Sequence, residues 1–401
     1  MNHASIIWFV LDRTHSENAV ALLVTTITLP SLFFLPLSGV LIDRLDRRYI
    51  TMTLDGARGL AVMSVAILAL TGHIALWHVY AMGVVLGLGA FMFWPNMAAL
   101  TQELVEPQDM VPLNALVIGT AQGGWMIAGA AVGFLYQKIG LGGVLFLDAS
   151  TYIISVFLML QLRKGKHLVH SETAPLTASH FNRDFVAGLR YVASETRVMI
   201  LGMIGALFMA AMMSQNVLTA PFSLKVLHAG APGYGFCNAG WSLGAIAAST
   251  FAGTIMRSGS GQLWVLAGSL FLAAISCGAA PHFAILVVGV ALYFVMGAGR
   301  GMAGVGVNSA LMQVVPKQLM GRTQNVINFT GIVMQLILTM GVGWLAEHTT
   351  LIAGFYAVAS FYLVAAILAV TVAQSSGPLV PPDLRTIVEP LTPSLESAAE
   401  F

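Results

Sequence analysis

Residues 39–48, Gly-Val-Leu-Ile-Asp-Arg-Leu-Asp-Arg-Arg, place five charges in six positions directly behind a long apolar run. An aspartate among arginines can hold a helix N-terminus or lock an ion-pair network, and the leading glycine admits close backbone approach. Other charges stand alone in apolar surroundings: Asp55 and Arg58 in LDGARGLAV, Asp148 in LFLDAS, and Arg300 in VMGAGRGMAGVG. The chemistry such groups can do is electrostatic: latching, counter-ion binding, proton carriage. Nucleophilic and metal chemistry find no support, since there is no His-Glu-x-x-His and no Walker motif. Cys237 and Cys277 lie in apolar runs without metal or redox spacing and read as small core residues. The chain therefore reads as a non-enzyme that calls for no cofactor and no metal. The glycine string around Arg300 has no preceding strand and reads as helix packing, not as a dinucleotide fingerprint.

The elements that must position these groups follow from composition. Only 9% of the 401 residues are charged and 57% are hydrophobic, where a soluble domain carries about 25% charge. The chain is expected to be an all-α polytopic membrane protein. Its net charge of +1 points to no nucleic-acid partner. Eleven apolar windows, at 19–42, 50–72, 75–100, 112–137, 143–162, 198–222, 232–257, 262–280, 283–311, 322–346 and 351–373, mark membrane spans. Residues 163–197 are polar, with an amphipathic helix around FNRDFVAGLRYVASETR, and residues 374–401 read as a disordered tail.

Basic residues orient the spans. With the 43–49 loop in the cytoplasm, that side collects Arg44, Arg47, Arg48, Arg163, Lys164, Lys166, Arg183, Arg190, Arg197, Arg257, Lys317, Arg322 and Arg385. The outer side keeps Arg13, Lys138 and Lys225. Thirteen against three obeys the positive-inside rule and puts the linker and the C-terminus in the cytoplasm. The two halves also repeat. Gly87-Leu-Gly89 matches Gly297-Ala-Gly299 at an offset of 210, Leu100-Thr-Gln102 matches Leu311-Met-Gln313 at 211, and Val132-Gly133-Phe-Leu135 matches Val342-Gly343-Trp-Leu345 at 210. A constant offset implies two equivalent bundles: 1–162, then a linker at 163–197, then 198–373. Subtracting the offset puts the start of the first helix about 12 residues before Met1. The stretch Ala4–Leu11 covers only about 12 Å of the ~30 Å hydrocarbon layer. The first helix is thus expected to be incomplete.

With two six-helix bundles and a basic linker in place, GVLIDRLDRR resembles the loop between the second and third helices of the major facilitator superfamily. Gly39, Asp43, Arg44, Arg47 and Arg48 match that motif, and Asp46 stands where glycine is usual. The D-R-x-D-R-R form, followed by Asp55 and Arg58, resembles the branch containing the enterobactin exporter and macrolide efflux proteins. LTQELVEPQDMVPLNAL, FNRDFVAGLRYV and GYGFCNAGWSLGAIAA agree with that branch. The resemblance implies that Asp43 sits against the N-terminus of the eleventh helix near Arg322, latching the bundles on the cytoplasmic side. It implies that Arg44, Arg47 and Arg48 anchor the loop, with an Asp55–Arg58 pair in support. It further implies secondary active efflux by alternating access in a bacterial inner membrane, proton antiport, and a monomer. The GGWMIAGAAVGFL stretch carries Ala130 where such exporters often carry proline, which weakens the case for drug:proton antiport specifically.

Candidate residues of the substrate pathway are Arg300 near the middle of its span, Gln122 and Trp125 on the fifth helix, Gln335 on the eleventh and Asn216 on the seventh. Each reads either as cavity lining or as interhelical packing. Asp148 reads either as a protonatable carrier or as an interfacial residue near a helix start. Large apolar side chains and many methionines suit a small amphipathic organic molecule, of drug or siderophore class. The competing reading is a transporter-like protein that does not transport, supported by the incomplete first helix.

Overall fold

The computed structural model describes residues 1–104, 110–162, 178–255 and 260–375. Within these, side chains at 34–44, 178–184 and 253–255, at Gln122 and at scattered positions of α4, α5, α9 and α11 are not described. Lipid offers backbone N–H and C=O groups no partner, so the apolar windows close their hydrogen bonds as helices. These are α1 (Asn2–Thr14), α2 (Glu17–Arg44), α3 (Arg47–Leu70), α4 (Leu76–Leu104) and α5 (Met110–Gln161). Next come α6 (Ala178–Ser194), α7 (Thr196–Pro221), α8 (Gly230–Ile255) and α9 (Ser260–Ala279). The last three are α10 (Leu286–Val314), α11 (Lys317–His348) and α12 (Leu351–Gln374). Each of the eleven windows falls on one of them. Two share α5, which Gly140 divides with φ +64°, a backbone conformation that glycine adopts without Cβ strain. Among the described residues, eight segments are long and apolar enough to cross a membrane. Chain direction then defines two ends: an arginine end, where α2 gives way to α3, and a far end, where α3 gives way to α4.

Membrane helices gain little from burying apolar surface against one another, so close backbone approach decides their packing. Gly87 of α4 and Gly297 of α10 are seated alike. A Cβ on Gly87 would overlap the Ile27 carbonyl of α2, and a Cβ on Gly297 would overlap the Trp241 carbonyl of α8. Two residues on, Gly89 faces Arg58 of α3, and a Cβ on Gly299 would stand 2.7 Å from the Ser269 carbonyl of α9. So α4 rests on α2 and α3 as α10 rests on α8 and α9. The internal repeat is a repeat of contacts as well as of letters.

Buried side chains gather in two clusters. One holds Ile6, Leu11, Leu23, Val62 and Leu145; the other holds Tyr191, Leu201, Phe222, Tyr293 and Phe355. Tyr191 comes from α6, which lies along α11: a Cβ on Gly188 would stand 2.7 Å from the Arg322 carbonyl, and Phe185 meets Phe329 edge to face at 5.3 Å. Part of the segment expected as a linker thus belongs to the second core. The halves meet where α5 crosses α8 and where α2 crosses α11. At the first crossing, a Cβ on Gly133 would stand 2.5 Å from the Ala231 carbonyl, and one on Gly129 would stand 3.2 Å from Asn238 Cβ. At the second, a Cβ on Gly343 would overlap Ala21.

Gly87→Ala and Gly297→Ala, which drive a methyl into backbone, are expected to destabilise the protein by about 1–3 kcal/mol each. Gly124→Ala, with nothing within 4 Å, should be neutral or slightly stabilising. Thermal unfolding in detergent, followed by circular dichroism, separates the two classes.

Candidate functional site

At the arginine end, Gly39, Asp43 and Arg44 lie on α2 with side chains outside the described set, as does Gln122 on α5. The rest of the motif is described. Asp46 is the N-cap of α3 and accepts a hydrogen bond from the Arg48 backbone N–H at 3.0 Å, which satisfies one of the donors a helix start leaves open. The Arg48 guanidinium donates to the Leu162 carbonyl at 2.6 Å, tying the start of α3 to the end of α5. The Arg47 carbonyl accepts from Asn96 of α4 at 2.9 Å, and Asn96 also donates to Thr51 at 2.8 Å. Two turns into α3, Arg58 and Asp55 pair at 2.5 Å, both buried. The other Asp55 oxygen accepts from Ser155 of α5 at 2.6 Å. The Arg58 guanidinium lies 5.3 Å from the ring centroids of both Phe93 and Tyr152. Its stem fills the space that a Cβ on Gly89 would take. α3, α4 and α5 thus converge on one satisfied ion pair.

At the far end the two halves are tied by charge. Glu17, buried at the start of α2, accepts from Lys225 at 2.5 Å. Glu347, in the last turn of α11, accepts from the Ser16 hydroxyl and from the Asn18 backbone N–H at 2.8 Å. Its carboxylate therefore sits on the N-terminus of α2, where helix dipole and open N–H groups favour negative charge. Nearer mid-depth, Gln335 of α11 donates to Thr28 of α2 at 2.9 Å, and Ser214 of α7 lies 2.8 Å from Thr339. Gln335 bridges the halves and does not line the cavity below.

That cavity, of about 480 Å³, lies among α7, α8, α10 and α11 and extends from mid-depth towards the arginine end. Arg300, at the middle of α10, stands at its inner limit. Arg300 Nε lies 2.7 Å from the Met212 sulfur, and the guanidinium lies 4.4 Å from the Trp241 ring centroid. Phe208, Met209 and Val307 supply apolar wall; Asn308, Gln324 and Asn328 supply neutral polar groups. The other pathway candidates stand apart. Asn216 donates to the Met213 carbonyl of its own helix at 3.0 Å. Trp125 is exposed on α5. Asp148 is buried and pairs with the Met1 amino group at 3.1 Å. Arg322 stands at the start of α11, its carbonyl against Gly188.

The sequence signature of the Major Facilitator Superfamily matches residues 2–339. The chain belongs to the Major Facilitator Superfamily. It is 22% identical over 343 residues to an uncharacterized MFS-type transporter, YfiS, of Bacillus subtilis, covering 82% of this chain and 78% of that one. It is 26% identical over 282 residues to the enterobactin exporter EntS of Shigella boydii, covering 70% and 66%. It is 22% identical over 214 residues to macrolide efflux protein A of Streptococcus pyogenes, covering 53% and 52%. Among solved structures, the nucleoside transporter NupG superposes with a TM-score of 0.66 at 14% identity, over 93% of this chain and 96% of that one; this likeness concerns the fold. As a superfamily member the chain is an integral membrane transporter.

Several residues at the cavity and at the far end went unread in the sequence. Met212 and Trp241 sit on α7 and α8, and nothing in spacing links them to Arg300. Glu347 falls just past the end of the 322–346 window. One signal was available: from Thr196 to Ala346 the chain holds no Asp or Glu, so Arg300 lies in a long run without a carboxylate.

Asp55→Asn is expected to cost about 3–5 kcal/mol, because it strands Arg58 as a buried cation. Asp55→Asn combined with Arg58→Met should recover most of that loss in the same thermal melt. At the far end, Glu347→Gln should raise the maleimide labelling rate of a cysteine placed at buried Ala21 roughly two- to fivefold, the range expected when a charge leaves a helix N-terminus.

Proposed function

We propose that this chain is a secondary active exporter, moving a small amphipathic organic molecule of drug or siderophore class outward by alternating access, with protons as the coupling ion. The observation that carries the reading is the mid-depth cavity at Arg300, with the interhalf ties of Glu17, Glu347 and Gln335 lying from mid-depth to the far end. A transporter needs a central site, closed towards one face at a time. The names of relatives, an enterobactin exporter and a macrolide efflux protein, support the efflux direction. In this proposal the arginine end faces the cytoplasm, as the positive-inside count favours, and the linker and C-terminus lie there too. The bundles, with limits at 1–162 and 198–373, rock about the cavity, and the protein works as a monomer. Asp43 holds the N-terminus of α11 when the arginine end closes, with Arg44, Arg47, Arg48 and Arg322 around it. Glu347 does the corresponding work on α2 when the far end closes. The two caps alternate along one helix pair.

The test is flux. Purified protein in liposomes with an imposed proton gradient is expected to move at least one of a panel of macrolide, catecholate and dye probes saturably. Asp43→Asn and Arg300→Ala should each lower that rate at least tenfold, and a protonophore should abolish accumulation. No saturable flux for any probe would instead favour a non-transporting member of the superfamily.

A further inference from the structure

Arg300 is a membrane-embedded cation whose described partners are both neutral. The Met212 thioether and the Trp241 ring stabilise a guanidinium without cancelling its charge. Between Thr196 and Ala346 stand Arg197, Lys225, Arg257, Arg300, Lys317 and Arg322, and no carboxylate, and Glu347 of the same half is held at the far end by Ser16 and Asn18. Carboxylates described elsewhere at membrane depth are engaged. Asp55 is held by Arg58 and Ser155, Asp148 by the Met1 amine, and Glu17 by Lys225. A charged side chain at this depth is costly and faces a cavity or a partner. Here the cavity is present and no anionic partner is among the described residues.

We propose that Arg300 is the anion-binding residue of this cavity, and that the transported molecule is an amphipathic organic anion, with one carboxylate-like headgroup on an aromatic or branched apolar body. The assignment rests on the exporter reading and narrows its substrate class. With Nε turned to Met212, the two terminal nitrogens carry the remaining donors, and their planar fork matches a carboxylate. Phe208 and Met209 receive the apolar body, and methionine adapts to its shape. Asn308 and Asn328 line the cavity between Arg300 and the arginine end with neutral polar groups. A cationic solute would meet unscreened repulsion in a site of low dielectric. A neutral solute would strip water from the guanidinium and give it no charge in return.

The experiment uses three probes of one shape: 4-tert-butylbenzoate, 4-tert-butylbenzamide and 4-tert-butylbenzylammonium. Thermal stabilisation of the full chain in detergent is measured against concentration for each, at constant ionic strength. The benzoate is expected to stabilise saturably, with the amide and the ammonium at least tenfold weaker. Arg300→Ala and Arg300→Gln should erase the preference, while Arg300→Lys, which keeps the charge, should retain it in weakened form. Equal binding of the amide, preference for the ammonium, no saturable benzoate binding, or unchanged benzoate binding in Arg300→Ala would each overturn the assignment. So would full stabilisation by chloride alone, which would mark a small-ion site. Liposome flux of the same probes separates this inference from the one beneath it. Flux of the amide without the benzoate would overturn the anion assignment and leave the exporter standing. Benzoate binding without flux of any probe would keep the Arg300 site and overturn transport.

Discussion

Backbone contact at two repeated glycines sets the geometry on which the rest depends. Gly297 lays α10 on the Trp241 carbonyl of α8, and three residues later Arg300 projects over the ring of that same Trp241. The cation's partner is thus chosen by the glycine, because the contact fixes how far α10 and α8 can slide past one another. In the first half, Gly87 sets α4 on Ile27 in the same way, and Gly89 opens the slot that the stem of Arg58 occupies. One packing rule, applied twice, positions both membrane-embedded arginines.

The two arginines are then treated in opposite ways. Arg58 has a carboxylate one helical turn back, two flanking rings and a hydroxyl behind the carboxylate. It is a closed, satisfied unit that holds α3, α4 and α5 together. Arg300 has polarizable neighbours and open volume. The same side chain serves structure where its charge is matched within the chain and recognition where it is not.

Architecture was legible in the sequence because membrane spans obey simple rules of length and apolarity, and because the repeat has a steady offset. The glycines at 129 and 133 could be read as a packing stripe, yet the partner, α8, could not, since any of several helices could have answered it. Gln335 shows the same limit. A glutamine at mid-depth can line a cavity or bridge helices, and only the position of Thr28 on another chain segment decides for the bridge. Glu347 was obscured for a different reason. It sits at a span end, where a charge is unremarkable, and its role on the N-terminus of α2 arises from the crossing of two helices about 330 residues apart in sequence. Asp46, which breaks the family motif, finds a local explanation as the α3 cap.

The run from Thr196 to Ala346 without a carboxylate has a consequence for acid–base behaviour. Between neutrality and about pH 4, the side chains that take up protons are carboxylates and histidines. Across that stretch only His228 and His282 are available, and both lie at the far end, away from Arg300. The membrane-embedded part of the second half is therefore electrostatically constant over that range, its cavity as positive at pH 4 as at pH 8. The carboxylates at membrane depth stand instead in the first half, at Asp55 and Asp148, with Glu17 and Glu347 at the seam. In this molecule the carboxylate-bearing part of the membrane domain and the part whose charge is purely basic are separate halves, joined where α5 crosses α8 and α2 crosses α11.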